Sequence, residues 1–354
     1  MSPDELQDEL QDEGEAEAED WRSVGTRRPD PADVRRHARE PGRGRDADDP
    51  AQIPAPGWRD ILWRVLRAVP RDRVLATAGG VAFFTLLSTF PALATIVSVY
   101  SLFSDPNVIS QHVSLLAGVL PNDVLTLLSD QLVRIARQGT GTLGTASLAS
   151  VVIAFWSANS GVSALFDALN VIYREREKRS LVRFYATTLL FTLSGILFAL
   201  TATGMVVILP IVLDRLGLGV PTDVTLRVAR WPGLLLLVGL GLALTYRYGP
   251  SRREAKWRWV SWGGVAASVA WVCASVTFSW YVASFDSYNR VYGSLGAAVG
   301  YMTWIWLSVV IVLLGAELNA EIERQTARDS TTGRPRPLGS REAYAADTLG
   351  PAEG

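Results

Sequence analysis

Trp156-Ser157-Ala158-Asn159-Ser160-Gly161-Val162-Ser163, followed by Asp167 and Asn170, places amide, hydroxyl and carboxyl groups inside an otherwise apolar stretch. Positions 159, 163, 166, 167 and 170 recur at three- and four-residue steps. Asn159, Ser163, Asp167 and Asn170 therefore share one helical stripe, with Ser157 in the same motif. These groups hydrogen-bond; none is an activated nucleophile or general base. At membrane depth, a polar side chain facing hydrocarbon is costly and normally turns to protein or water. Two readings stay open: the stripe is the polar wall of a pathway, or it is hydrogen-bonding glue between packed helices.

Three further clusters carry polar or special residues. Phe83-Phe84-Thr85-Leu86-Leu87-Ser88-Thr89-Phe90-Pro91 sets Pro91 inside an apolar run, where it removes a backbone hydrogen bond and predicts a kink. Phe285-Asp286-Ser287-Tyr288-Asn289-Arg290-Val291-Tyr292-Gly293 links two apolar runs closely enough to force an antiparallel pair. Tyr288, Asn289 and Tyr292 suit an interface or an outer gate, and Gly293, Gly296 and Gly300 form a small-residue face for close helix packing. Glu317 and Glu321 lie one turn apart after Gly315-Ala316; a solvated helix end suits Glu321 better than Glu317, which joins the pathway candidates.

Other chemistries lack material. The chain has one cysteine, Cys273, in an apolar run, and two histidines, His37 and His112, so no metal site, disulfide framework or triad is expected. No G-x-x-x-x-G-K-[ST], H-E-x-x-H or G-x-S-x-G motif occurs. No cofactor, intrinsic ATP hydrolysis or enzymatic activity is expected.

The elements that position these residues follow from charge segregation. Of 354 residues, 49% are hydrophobic and 19% charged. Residues 1–57 hold 24 of the charges and residues 324–354 hold nine. Between them run six charge-free stretches: Val74 to Ser104, Gln138 to Phe166, Phe184 to Leu213, Trp231 to Tyr246, Trp259 to Phe285 and Val291 to Ala316. Five are 26 to 31 residues long, beyond the roughly 20 a helix needs to cross a bilayer. The fourth, with 16, must recruit Arg230 and Arg247 as snorkelling ends. The fold class is thus all-α: a polytopic membrane protein with six transmembrane helices.

Arginine and lysine set the orientation. Fifteen flank the sides before the first span and after the second and fourth, against six on the alternate loops. That bias puts both termini in the cytoplasm. Two short amphipathic helices are predicted. Trp58 to Val69 sets Ile61, Leu62, Val65, Leu66 and Val69 against Arg59, Arg64 and Arg67, and Val124 to Arg137 repeats the pattern in the first external loop. Residues 1–57 and 324–354, poor in aliphatic side chains, read as disordered cytoplasmic tails around a membrane domain of residues 58–323.

Four motifs together resemble one family. W-S-A-N-S-G-V-S-A-L-F-D-A-L-N-V-I-Y, F-D-S-Y-N-R-V-Y-G-S-L-G, L-L-G-A-E-L-N-A-E and F-F-T-L-L-S-T-F-P closely resemble the YihY/BrkB family of bacterial inner-membrane proteins, over about residues 60 to 325. The resemblance implies a six-helix protein of the bacterial cytoplasmic membrane. Members have been called virulence factor BrkB and, historically, ribonuclease BN, a label regarded as misassigned; the family has no settled activity. The expectation is passage or flipping of a solute or lipid-like molecule, with the lipid bilayer and that lipid or small molecule as partners and no nucleic acid. A non-transporting scaffold for envelope integrity is the alternative. A ribonuclease fits least, since topology already explains the basic loops. The sequence does not fix an oligomeric state.

Overall fold

The computed structural model describes residues 36–103, 140–203, 220–284 and 296–353. The Val124 to Arg137 segment, Tyr288, Asn289, Tyr292, Gly293 and residues 1–35 lie outside the described residues. Among the described residues the fold is all-helical, with no strand and one isolated antiparallel bridge between Ala255 and Thr331. A 3-10 turn at Pro50–Gln52 leads into α1 (Ala55–Arg71). Then come α2 (Val74–Phe103), α3 (Thr140–Ile172), α4 (Leu181–Thr203), α5 (Val220–Tyr248), α6 (Trp257–Ser284), α7 (Gly296–Glu323) and the short α8 (Tyr344–Asp347).

Among the described residues, three segments are long and apolar enough to cross a membrane: Leu181–Phe198, Trp257–Tyr281 and Val299–Glu323. Val74–Thr89 and Pro232–Tyr248 are shorter apolar pieces of α2 and α5. The fourth charge-free run sits in a helix longer than itself, since α5 takes in Asp223, Arg227 and Arg230 and carries Pro232 inside it. Position 91 lies within the continuous helix α2.

Local chemistry sets the boundaries at the end where α1 and the terminal segments meet, called here the polar end. Pro54 is extended before α1 and a proline stands in its first turn, where a missing N–H breaks no helical bond. Arg73, at φ 47°, makes the left-handed step from α1 to α2. Arg174, at φ 52°, ends α3. There the Glu175 N–H donates to the Asn170 carbonyl at 2.8 Å and the Arg174 N–H to Val171 at 3.0 Å, a Schellman closure with arginine where glycine is usual.

Helices α2 to α7 form a ring, each packed on the next, and α7 also touches α1, α3 and α8. The α4–α5 junction is the sparsest in the ring among the described residues. The core gathers at the polar end, where Phe166, Leu169, Tyr173, Tyr246, Trp259 and Leu313 are fully buried. Farther along, Leu190, Leu236, Val276 and Trp280 are exposed, as apolar side chains are on a surface covered by lipid rather than water.

Three expectations need correction. First, residues 36–57 and 324–353 do not lack structure: Arg45, Ile53, Gln325, Thr326, Thr331 and Arg341 are buried. Hydrogen bonds order them where apolar burial is scarce. The Arg341 guanidinium donates to the carbonyls of Ala327, Arg328, Arg336 and Ala346, and Arg45 to those of Gln325 and Gly350. Second, α1 is turned relative to its predicted faces. Asp60, Ile61 and Arg64 face inward while Leu62, Trp63 and Leu66 are exposed, because Arg64 reaches an acidic partner on α7. Third, a Cβ at Gly300 would meet nothing within 4 Å, so that glycine allows no close approach. The close crossing is Gly263 on Gly315, where a Cβ on Gly263 would stand 2.2 Å from the Gly315 carbonyl oxygen.

Candidate functional site

The α3 stripe is divided among different surroundings. Asn159 is buried, and its Oδ1 accepts a 3.4 Å bond from Thr192 Oγ1 on α4. Ser157 and Ser163 are half-buried, and Ser163 Oγ has no hydrogen-bond partner among the described residues. Asp167 is exposed. Asn170 is buried and joins two loops: Nδ2 donates to Glu177 at 3.0 Å, and Oδ1 accepts the Ser251 N–H at 2.7 Å. Burial alone would raise the Glu177 carboxyl, but the Arg179 side chain and amide together with Asn170 bring it down to about 2. Glu317 is buried on α7 beside Asp72, with Glu321 and Arg71 as further charged neighbours.

A buried charge cluster at the polar end escapes sequence reasoning. Glu321, expected at a solvated helix end, is 2% exposed. It accepts from Arg64 Nε at 2.6 Å and from Arg324 Nη1 at 2.5 Å. Arg64 also donates to Gln325 Oε1 at 2.7 Å and to the Pro351 carbonyl at 3.0 Å. Burial pulls the Arg64 guanidinium below its ordinary value, with Glu321 opposing the shift. Arg252 forks onto Glu323 at 2.6 and 3.0 Å, with its guanidinium carbon 4.3 Å from the Tyr173 ring centre. Burial would lower Arg252, but Glu323 outweighs it and the group is raised. At Asp60, burial would raise the carboxyl, yet Arg43 and the Glu353 amide hold it below the usual range. The one sequence signal was the acidic spacing of 317, 321 and 323, without the arginines that answer it.

Amide and hydroxyl bonds fasten α7 to its neighbours. Asn319 accepts the Gly263 N–H at 2.8 Å and donates to the Val260 carbonyl at 3.1 Å. Tyr246 donates to the Val312 carbonyl at 2.8 Å, tying α5 to α7.

An apolar opening lies elsewhere among the described residues. A cavity of about 800 Å³ runs between α4 and α5, walled by residues such as Leu190, Phe198, Leu237 and Gly241 and floored by Trp271 of α6. That is within the size range of small-molecule sites. Its serine and threonine hydroxyls offer little to a polar ligand, because each bonds back to its own helix, and Tyr248 adds a hydroxyl only at the polar end. Thr187 donates to Arg183, Ser194 to Leu190, Thr201 to Leu197 and Thr245 to Gly241, all at 2.8 Å. Trp271 Nε1 is likewise occupied by Ser308 at 3.0 Å. The groove therefore presents hydrocarbon, and no member of the α3 stripe lines it. Among the described residues, no group of three His, Cys, Asp or Glu side chains is arranged to hold a metal.

Comparison with known proteins finds relatives named as membrane proteins. A UPF0761 membrane protein of Vibrio parahaemolyticus is 30% identical over 267 residues, 74% of this chain and 81% of the relative. YfkH of Bacillus subtilis, named as ribonuclease-like, is 28% identical over 258 residues, 69% of this chain and 88% of the relative. A UPF0761 membrane protein of Vibrio vulnificus is 28% identical over 254 residues, 71% of this chain and 78% of the relative. No solved structure matches. The virulence factor BrkB family profile matches residues 65–338, reaching from α1 into the ordered segment beyond α7. The chain, a membrane protein with its polar end tied by buried ion pairs, belongs to the virulence factor BrkB family.

Proposed function

We propose that this protein admits a lipid-like molecule sideways from the bilayer at the α4–α5 junction and passes or flips it, without hydrolysing ATP itself. The observation that carries this reading is the groove: among the described residues it lies at the sparsest junction of the ring, and its serine and threonine hydroxyls are satisfied within their own helices. A solute carrying many hydrogen-bonding groups would leave them unpaired there, whereas a hydrocarbon chain would not. The reading includes six membrane spans in the bacterial cytoplasmic membrane with both termini inside, supported by the fifteen-to-six basic bias. It also includes no enzymatic role. Two acids of the polar end are committed to arginine, Glu321 to Arg64 and Glu323 to Arg252.

The test is reconstitution of the full chain in vesicles with a headgroup-labelled lipid, following loss of signal to a membrane-impermeant quencher. The parent should speed transbilayer exchange, and Gly195→Trp should slow it to the protein-free rate. A Cβ at Gly195 meets nothing within 4 Å, so the indole has room to occupy the groove. Exchange unaffected by the substitution rejects the reading. The scaffold alternative draws on Asn159 and Asn170, both buried and bonded to other elements; it predicts no exchange by the parent.

A further inference from the structure

We infer that the groove selects an anionic phospholipid, with Arg183 meeting the headgroup; the inference rests on the lipid-passing reading and adds the substrate class to it. The α4 positions lining the groove, 187, 190, 191, 194, 195, 197, 198 and 201, recur at three- and four-residue steps, and Arg183 continues that pattern by one turn toward the polar end. The hydrogen bond from Thr187 Oγ1 to the Arg183 carbonyl marks that turn at 2.8 Å. Arg183 is exposed and has no ion-pair partner among the described residues. Its neighbours differ in this respect. Lys178 is bonded to Glu175 at 2.7 Å and Arg179 to Glu177 at 2.7 Å. Arg247 lies over the Trp257 ring with its guanidinium carbon 4.6 Å from the centroid.

Aromatic side chains mark the same level. Tyr248 lines the polar end of the groove, and Tyr185 and Trp257 are exposed nearby in sequence at the ends of α4 and α6. Tyrosine and tryptophan collect where hydrocarbon meets headgroups. An acyl chain in the groove would thus leave its phosphate near an uncommitted guanidinium, with no carboxylate on the lining stripe to oppose it. A zwitterionic lipid would bring its own cation to the same place. This charge match favours a lipid over a second copy of the chain, which would meet the groove with its own apolar α4 surface.

Native mass spectrometry of the full chain in detergent tests this, with phosphatidylglycerol and phosphatidylethanolamine of identical acyl chains added separately. The parent should retain phosphatidylglycerol about fivefold better, the scale of one basic side chain at an anionic membrane surface. Arg183→Gln should remove that preference and Arg183→Lys should restore most of it. Gly195→Trp and, independently, Gly241→Leu should reduce retention of both lipids while the protein melts as the parent does. Equal retention by the parent, still sensitive to Gly195→Trp, overturns the headgroup inference and leaves the groove reading standing. Retention of neither lipid, or insensitivity to both glycine substitutions, overturns the groove reading and the inference with it. A dimer that Gly195→Trp dissociates identifies a second copy as the occupant and overturns both.

Discussion

At the polar end, side chains reach from one element to another; on the groove walls of α4 and α5, serine and threonine hydroxyls bond back to the helix that carries them. Arg64, Arg252, Asn170 and Asn319 each connect segments distant in sequence. Thr187, Ser194, Thr201 and Thr245 connect only to a carbonyl four residues earlier. Separating the elements at the polar end would strand buried charges and amides, which is expensive. Separating α4 from α5 would strand almost no polar group, so this side can part without that penalty. One region is cross-linked and the other is only self-satisfied.

Removing the cross-links should therefore cost far more than altering the groove. The largest loss is expected on ending the chain at Thr326, which removes Ser330 from Glu323, the Pro351 carbonyl from Arg64 and Tyr344 from Arg174. Membrane abundance should fall below that of any single substitution here, as measured by quantitative immunoblot; a truncated chain as abundant as the parent would break the contrast. Next comes Arg252→Ala, which leaves Glu323 buried without its fork. Its expected cost is about 3–5 kcal/mol, read as a lower melting temperature in detergent.

Asn170→Ala should cost about 1–3 kcal/mol, because the Ser251 amide is left buried and unpaired. Thermal melting distinguishes this from a surface change. Acid offers a gentler probe. The Glu177 carboxyl is lowered from 4.5 to about 2 in the fold, so its contribution is complete above about pH 4.5 and fades as pH drops toward 2. The melting difference between parent and Glu177→Gln should stay constant above pH 5 and narrow below it. A gap that instead opens on acidification would contradict the assigned ion pairing. The smallest effect belongs to Ser194→Ala on the groove wall, within about 0.5 kcal/mol of the parent. A larger loss would mean that the groove is cross-linked after all.

Much of the helical framework was legible, because a segment in contact with hydrocarbon must satisfy its backbone within itself and carry apolar side chains over most of its length. The α3 spacing also selected Asn159 and Asn170, two residues that do join elements. Their partners, Thr192 and Ser251, were not legible, since a helical period says which residues share a face and nothing about what arrives there. Residues 61 to 66 show the same limit. The period of α1 was readable, but in a membrane protein an apolar face can look outward, and the direction was set by Glu321, 257 residues away from Arg64. Residues 324–353 were misjudged because composition measures the apolar area a segment can bury. Arg341, donating to four backbone carbonyls, organises a segment by other means. Gly300 and Gly315 look alike as small residues in one helix, and only what packs against them, Tyr246, Ala267 and the Gly263 backbone at Gly315, distinguishes them.

The order of synthesis gives the buried ion pairs a second meaning. Arg64 and Arg252 precede Glu321 and Glu323 in the chain, and a polypeptide is made from its N-terminus. While α2 is being inserted, Arg64 has no Glu321 to neutralise it, and Arg252 likewise precedes Glu323 as α6 follows. Under the proposed topology both would present their positive charge to the insertion machinery at the stage when basic residues fix orientation. Only after α7 emerges do its acids take up that charge. The Glu353 amide then closes onto Asp60 across 293 residues at 3.0 Å. Under the proposed orientation the same arginines would act first as topological signals and later as internal ties, and completing the second role would remove the exposed charge that served the first.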